Sequence, residues 1–273
     1  MMAKSDVNAQ LHAVDRWASK RRRAVEFLKE SGVSGLVAKA REVGARGTAA
    51  FVARQARYMA CSFLGKRWDL KYGVDTSGQI DLINVDVVGT NKTGGTAVVS
   101  TSPRSYAFLS AFFPANWAEY TFVDVGCGKG RVMLLAALQG FNRIIGIEFA
   151  SVVAGLAEQN LARFSGRKPA EWRVINADAT TIDLPLGAPL LIYCFNPFDA
   201  EIWERFIPVI RNAASQSKKY PICLVLCGTV PEILRGSAAV IDRSALFRER
   251  ARGVTPFFMD AYSRYHYWIF DAK

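Results

Sequence analysis

Short apolar runs alternate with longer amphipathic segments from Glu119 to the C-terminus. Buried strands are predicted at 121–125, 143–148, 171–176, 190–195 and 222–227. Helices are predicted between them at 129–139, 150–164 and 199–214. Regular alternation of strand and helix is typical of a mostly parallel sheet with helices on both faces, an α/β fold. The aromatic run 264–270 predicts a closing antiparallel strand.

The first hundred residues follow a different pattern. Helical spacing of apolar residues predicts two helices over 7–30 and 33–63, with a break near Ser31-Gly32. Turn-forming clusters and β-prone runs at 83–88 and 96–99 then predict a strand-rich connector. A helix is expected to begin near Arg104. The predicted organisation is a helical extension (1–70), a connector (71–103) and a main domain (104–273).

Positive charge is concentrated in the helical extension. The chain has 273 residues and a formal net charge of +11. Residues 1–70 hold 14 Lys or Arg against 6 Asp or Glu, whereas the other 203 residues hold 21 against 18. The excess favours an acidic partner, which would be nucleic acid, an anionic membrane surface or an acidic protein. A solvated helical face is the alternative reading.

Apolar runs long enough to cross a bilayer are missing from the sequence, as is an apolar signal core at its start. We therefore expect a cytoplasmic protein with no transmembrane segment, and contact with a membrane surface stays open. The five cysteines form no CxxC pair, and there are two histidines. These counts argue against a disulfide framework, a metal site and a Ser-His-Asp triad.

The segment TFVDVGCGKGRV (121–132) carries the strongest chemical signal. An apolar strand places Asp124 near its end, and Gly126, Gly128 and Gly130 then open a helix. Glycines permit tight turns and close approach of a ligand to the main chain, and the helix N-terminus offers free N–H groups. A glycine loop alone is found in many α/β proteins, so the other strand ends decide the reading.

Three further strand ends carry polar residues. Glu148 ends the second strand, where a ribose diol needs acceptors. Asp178 follows the third strand and suits an exocyclic amino group, or else caps a turn. Asn196-Pro197-Phe198 follows the fourth strand at the edge where open α/β sheets bind ligands. There Asn196 and the Pro197 carbonyl would accept hydrogen bonds from an amino nitrogen, and Phe198 would stack on a flat group.

Together these residues resemble the class I S-adenosylmethionine-dependent methyltransferases. The resemblance implies a Rossmann-like seven-stranded sheet, S-adenosyl-L-methionine as cofactor, and Asn196, Pro197 and Phe198 beside the methyl group. It implies the following cofactor-binding set: Asp124, Gly126, Cys127, Gly128, Gly130, Glu148, Asp178, Ala179 and Phe195. The FNPF sequence is similar to the signature of amino-group methyltransferases but lacks one proline, which weakens the case for nucleic-acid bases.

More narrowly, KYGVDTSG (71–78), TSP (101–103), VDVGCGKGR and FNPF (195–198) resemble a group of bacterial methyltransferases that is loosely similar to the Dot1-like lysine methyltransferases. In that branch a segment before the first motif covers the bound cofactor. By this resemblance the connector covers the site, and Thr101, Ser102 and Tyr106 line the methyl-transfer channel.

The methyl acceptor is predicted on chemical grounds. Methyl transfer needs the nucleophile, the methyl carbon and sulfur in line, and a neutral amine needs its lone pair aimed. A strong general base is not visible in the motifs, since Asp199 equally suits a helix N-cap. A nitrogen acceptor such as protein lysine is therefore favoured, with RNA or a small molecule as alternatives. An NAD-type Rossmann enzyme and a binding protein on this fold are the competing classes.

Overall fold

The structure is a computed structural model that describes residues 44, 47, 60, 62–80, 98–196, 198–216, 218–256 and 264–273. Residues 62–72 are helical. The longer helices are α1 (Pro103–Ser110), α2 (Arg131–Gln139), α3 (Ser151–Arg163), α4 (Ala200–Gln216) and α5 (Pro231–Arg243). The strands are β1 (Gln79–Ile80), β2 (Val98–Val99), β3 (Thr121–Val125), β4 (Arg143–Glu148), β5 (Glu171–Asn176), β6 (Leu190–Phe195), β7 (Ile222–Gly228), β8 (Phe247–Val254) and β9 (His266–Ala272).

Seven strands form the main sheet in the order β5-β4-β3-β6-β7-β9-β8. The neighbours from β5 to β7 pair in parallel, whereas β9 pairs antiparallel with both β7 and β8. The sheet is therefore mixed. Its antiparallel part is β9, which runs opposite to its two neighbours β7 and β8. The strand order reverses between β3 and β6, and open α/β sheets bind ligands at such a switch point.

Helices cover both faces of this sheet. One core contains α1, α2 and part of α3, packed on residues such as Phe122 and Tyr193. The other core contains α4 and α5, packed on residues such as Ile192 and Leu224. Strands β3, β6 and β7 are buried along their whole length or nearly so, because a central parallel strand is covered on both faces. Because helices pack on both faces of the sheet, the carboxyl ends of β3 and β6 are held side by side.

The predicted strands agree with the observed ones to within two residues, and the closing antiparallel strand is β9. Helix α5 and strand β8 were not predicted. Strand β8 is the edge of the sheet, and its sequence FRERARGV lacks an apolar run, because four of its eight residues are charged and exposed.

Most of the helical extension lies outside the described residues, as does the predicted run 83–88. The helix of residues 62–72 passes the proposed boundary at residue 70, and the domain limits stay a prediction. Within the part of the chain that the structure describes, no helix is both long and apolar enough to cross a membrane.

Candidate active site

The glycine loop leaves β3 and opens α2. Gly126 and Gly128 have φ angles of +76° and +55°, which side-chain-bearing residues rarely adopt. The Gly126 and Cys127 N–H groups donate to the Ile147 carbonyl oxygen at 2.8 and 3.0 Å, which ties the loop to β4. A methyl group built on Gly126 would meet no atom within 4 Å, so the space beside the loop is open to a ligand.

Glu148 lies directly under this loop. Its Oε2 accepts from the Gly128 N–H at 2.9 Å, and its Oε1 accepts from the Ala150 N–H at 3.0 Å. Burial raises the pKa of Glu148, and the backbone N–H donors oppose that rise because they stabilise the carboxylate. The carboxylate therefore joins the glycine loop to the start of α3, at the strand end where the sequence predicts a ribose acceptor.

Asp124 is the least satisfied acid of the site. It is 2% exposed, and among the described residues its Oδ2 has no hydrogen-bond partner. Burial raises the pKa of Asp124 well above its usual range, and the nearby charge of Glu148 raises it further. A buried carboxylate oxygen without a donor is costly to the fold, so this position is suited to a ligand that brings a cationic donor.

The predicted cofactor fits these features. S-adenosylmethionine carries an ammonium group that would supply the donor missing at Asp124, and ribose hydroxyls that match an acceptor at Glu148. The open space at Gly126 leaves room for its methionine end. These residues are the ones that would hold the cofactor, and their individual roles stay predictions.

Asp178 caps the short 3-10 helix Ala179–Thr181. Its Oδ1 accepts from the Thr180 N–H at 2.9 Å and from the Thr180 hydroxyl at 2.8 Å. The turn-capping role considered for this residue is therefore present. Asp178 and Ala179 are both buried beside the end of β5, and a contact with adenine stays a prediction.

The end of β6 makes a sharp turn at Asn196, whose φ is +46°. The Asn196 side chain accepts from the Thr229 N–H at 2.8 Å and donates to the Thr229 hydroxyl at 3.2 Å. Gly228 permits this arrangement, because a Cβ there would overlap the Asn196 side-chain oxygen. Pro197 lies outside the described residues. The Asn196 amide is thus fixed by the neighbouring end of β7.

Phe198 packs into the protein. Its ring contacts those of Trp203 and Phe206, with centroid distances of 5.7 and 5.6 Å, and it joins the core under α4. Asp199 accepts from the Ile202 N–H at 3.1 Å, as a helix N-cap does. The ring of Phe198 therefore contributes to the position of α4.

The residues predicted to line the channel lie on and before α1. Ser102 caps α1 by accepting from the Ser105 N–H at 3.0 Å. The Tyr106 hydroxyl donates to Gln139 Oε1 at 2.7 Å, and its ring lies in the core. Thr101 is 2% exposed, and its hydroxyl has no hydrogen-bond partner within the described part of the chain.

Tyr265 joins this region to the end of β6. The Ser102 N–H donates to the Tyr265 hydroxyl at 3.4 Å, and the Tyr265 ring lies 4.8 Å from that of Phe195. Residues 101–102 are thereby brought beside the end of β6, although they are far from it in sequence. The connector and the last strand share one border of the site.

A second border is formed by Asp69 and residues 75–77, here called the cover segment. The Arg131 guanidinium donates to Asp69 Oδ1 at 3.0 Å and to Ser77 Oγ at 2.9 Å, and it also bonds to Thr76 Oγ1. Arg131 and Asp69 are both buried, and Arg131 stacks on the Trp68 ring at 4.5 Å. The first turn of α2 therefore fastens the cover segment beside the glycine loop.

Two more residues hold the same contact. Lys129 pairs with Asp75 at 3.4 Å and bonds to the Ser77 carbonyl. The Asn160 side chain accepts from the Asp75 N–H at 2.8 Å and donates to the carbonyls of Asp75 and Lys129. Both cations at the start of α2, Lys129 and Arg131, therefore bind the cover segment.

Sequence reasoning missed Asp69, Asn160, Thr229 and Tyr265. Each acts on a site residue from a distant part of the chain, so spacing along the sequence gives no sign of it. One available signal was the pair of cations at the N-terminal end of α2, Lys129 just before the helix and Arg131 at its first position, where the helix dipole disfavours positive charge. Such a placement indicates that an acidic partner lies elsewhere in the chain.

Comparison with known proteins gives one family match. Residues 122–218 match the family described as "Methyltransferase domain". A search of curated proteins finds no match. Solved structures with a similar fold include the magnesium protoporphyrin IX methyltransferase of Synechocystis PCC 6803 with bound S-adenosylmethionine (TM-score 0.46, 16% identity, 63% of this chain and 79% of that one). The glycopeptide N-methyltransferase MtfA with S-adenosyl-L-homocysteine has a TM-score of 0.49 and 10% identity, over 64% of this chain and 91% of that one.

The family match covers the part of the chain that contains the glycine loop, Glu148 and the end of β6. Residues 122–218 form a methyltransferase domain. The chain is an enzyme that uses S-adenosylmethionine as its methyl donor.

Replacing Glu148 with glutamine is expected to weaken cofactor binding by about tenfold or more, because a glutamine cannot keep both backbone donors and a charged acceptor for the ribose. Isothermal titration calorimetry with S-adenosylmethionine measures the change. Glu158→Gln, an exposed glutamate on α3, is the matched control and should bind as the wild type does. Unchanged binding by Glu148→Gln would remove Glu148 from the cofactor site.

Proposed function

We propose that the enzyme methylates a nitrogen acceptor, such as a lysine side chain of a protein. The observation that carries the proposal is the position of Asp199, the acid that follows FNPF. Its side chain caps α4, so it is engaged away from general-base duty. A hydroxyl or carbon acceptor needs a base more than a neutral amine does, because a neutral amine is already a good nucleophile. A lysine ammonium would first release its proton to solvent; the amine nitrogen then bonds to the methyl carbon as the carbon–sulfur bond breaks, and the positive charge passes from sulfur to nitrogen.

The other groups at this border are neutral. Thr101, Ser102, Asn196 and Tyr265 offer hydroxyl and amide groups beside Phe195. Groups of this kind orient an amine through hydrogen bonds and do not neutralise a charge. The bound cofactor supplies an activated methyl group on a sulfonium. The work left to the protein is alignment of the acceptor and exclusion of water.

The proposed relation to the Dot1-like lysine methyltransferases has one structural support. The cover segment lies against Lys129 and Arg131, next to the glycine loop, as a segment that covers the cofactor would. A cytoplasmic location is supported by the four described cysteines, which are buried free thiols. The basic excess of residues 1–70 supports an acidic partner and keeps RNA as the alternative acceptor.

The acceptor class is tested by incubating the purified full chain with radiolabelled S-adenosylmethionine and lysate of its source cells. One half of the product is treated with nuclease and the other half with protease. The proposal predicts label that survives nuclease and is lost to protease. Label lost to nuclease would make RNA or DNA the acceptor, and label in small molecules alone would also contradict the proposal.

The alignment role of Asn196 predicts a particular effect of Gly228→Ala. The added methyl group would overlap the Asn196 side-chain oxygen. The Asn196 amide would therefore be displaced from Thr229. We expect turnover to fall about tenfold or more while the affinity for S-adenosylmethionine changes little, because misplacement of a positioning group mainly raises the barrier. Methyl transfer at saturating cofactor is the measurement.

Gly155→Ala is the matched control for this variant, because a methyl group at position 155 meets no atom within 4 Å. The Gly155→Ala enzyme should keep wild-type turnover. If Gly228→Ala also kept it, Asn196 would have no part in aligning the acceptor.

A further inference from the structure

The helix of residues 62–72 has two unlike faces. Trp68, Asp69 and Tyr72 face the domain, where Trp68 stacks on Arg131 and Tyr72 lies 5.4 Å from the Phe164 ring. The opposite face carries six exposed residues: Phe63, Leu64, Lys66, Arg67, Leu70 and Lys71. This set is here called the outer face.

Large apolar side chains on the outer face are unusually exposed. Phe63 is 65% exposed and Leu70 is 83% exposed. In the described residues, five large apolar side chains are classed as exposed, and three of them belong to this one helix face. A cluster of this kind on a surface helix indicates an interaction site, whereas single exposed leucines need no explanation.

The charges of the outer face have a single sign. Lys66, Arg67 and Lys71 alternate with the apolar residues, and the acid of this helix, Asp69, is turned inward to Arg131. Arg163 is a further exposed cation, and its backbone carbonyl lies near Gly73, which follows this helix. The outer face thus combines large apolar side chains with positive charge. The carboxylate of Asp69 does not balance that charge, because it is buried and paired with Arg131.

We propose that the outer face docks on an anionic lipid surface. Phe63, Leu64 and Leu70 would enter the boundary between headgroups and acyl chains, and the basic side chains would extend to the lipid phosphates. A nucleic acid would use the basic residues but would gain little from two exposed leucines. The combination therefore favours lipid over RNA as the occupant.

Docking at this helix would act close to the active site. Asp69 lies on the inner side of the same helix and residues 75–77 follow it closely. These residues are fastened to Arg131, Lys129 and Asn160. A membrane that holds the helix would therefore hold the cover segment in place beside the glycine loop. Docking of the outer face on lipid does not depend on which acceptor receives the methyl group.

The test is flotation of the purified full chain with vesicles made of equal parts phosphatidylcholine and phosphatidylglycerol, compared with phosphatidylcholine alone. The wild type should float with the anionic vesicles and remain behind with the neutral ones. The double variants Phe63→Ser/Leu70→Ser and Lys66→Glu/Arg67→Glu should each lower the bound fraction by about tenfold. Leu186→Ser, an exposed leucine elsewhere, is the matched control and should bind like the wild type.

Thermal unfolding and cofactor affinity are measured on the same variants, and both should stay at wild-type values. A large loss of stability in Phe63→Ser/Leu70→Ser would overturn the proposal, because it would mean that the outer face is packed within the chain. Retained flotation in both double variants would overturn it as well. If the protein bound RNA in a salt-sensitive way, and the Phe63 and Leu70 substitutions left that binding unchanged, the outer face would be assigned to nucleic acid instead. Cofactor binding by every variant keeps this outcome separate from any failure of the proposed methyl transfer.

Discussion

Replacing Asp124 with asparagine is expected to weaken binding of S-adenosylmethionine by about 10- to 100-fold, the range for loss of a charge-assisted hydrogen bond. The Oδ2 atom of Asp124 has no hydrogen-bond partner among the described residues and is the natural acceptor for the cofactor ammonium group. Asparagine keeps the shape of the side chain and removes its charge. Calorimetric titration gives the change in affinity.

The same substitution should raise the free energy of unfolding at neutral pH. Burial raises the pKa of Asp124 in the folded state, so the folded protein binds more protons than the unfolded one above the ordinary aspartate value of about 3.9. Stability therefore falls as pH rises from that value through the folded-state pKa. Asparagine does not titrate, so the variant does not lose stability in this way. We expect its free energy of unfolding near pH 7 to be higher by about 1–3 kcal/mol, the cost of a buried unsatisfied group.

Chemical denaturation at several pH values measures this gain, which should shrink at acid pH. Asp242→Asn, an exposed aspartate of α5, is the control and should change neither property. In addition, cofactor binding to the wild type should release protons, because the incoming ammonium favours the charged carboxylate. An Asp124→Asn protein that bound cofactor normally, or was less stable near pH 7, would contradict this view of the site.

Breaking the Asp69–Arg131 pair is expected to have the largest effect on stability. Both side chains are buried and lie 3.0 Å apart, so either single change leaves an uncompensated charge in the interior. Asp69→Asn or Arg131→Met should each lower the free energy of unfolding by about 3–5 kcal/mol. Both should also speed release of S-adenosylmethionine, because the cover segment is no longer fastened to α2.

The double variant Asp69→Leu/Arg131→Met removes both charges and should recover much of the lost stability. Glu204→Gln is the matched control, because the Glu204–Arg243 pair lies on the surface at 3.6 Å and both side chains are mostly exposed. Denaturant unfolding and the rate of cofactor dissociation are the two readouts. Dissociation that is unchanged in destabilised variants would limit the pair to a structural role.

Much of the fold was predictable because its central strands are buried on both faces. The runs 121–125 and 143–148 contain the residues that fill β3 and β4, and their apolar composition marks them clearly. The glycine loop and Glu148 were predictable for a related reason, since they follow those strands directly. Strand β8 was missed because an edge strand with exposed arginines satisfies few of the rules for buried strands.

The contacts that complete the site were not predictable, because they join segments far apart in sequence. Arg131 and Asp69 are separated by 62 positions, and Tyr265 reaches Ser102 across 163. The sequence marks such residues at most by a local anomaly, as with the cations at the start of α2. The rings of Phe198 and Tyr106 fill core positions that only the tertiary structure defines, and their places at the methyl-transfer site stay predictions.

S-adenosylmethionine is expected to bind beside the glycine loop, where the carboxyl ends of β3 and β6 meet. The decisive measurement is titration calorimetry of the full chain with S-adenosylmethionine, and separately with NAD. We expect saturable binding of S-adenosylmethionine that Asp124→Asn weakens, and no binding of NAD. Binding of NAD at this site, or no binding of S-adenosylmethionine to a folded protein, would contradict it.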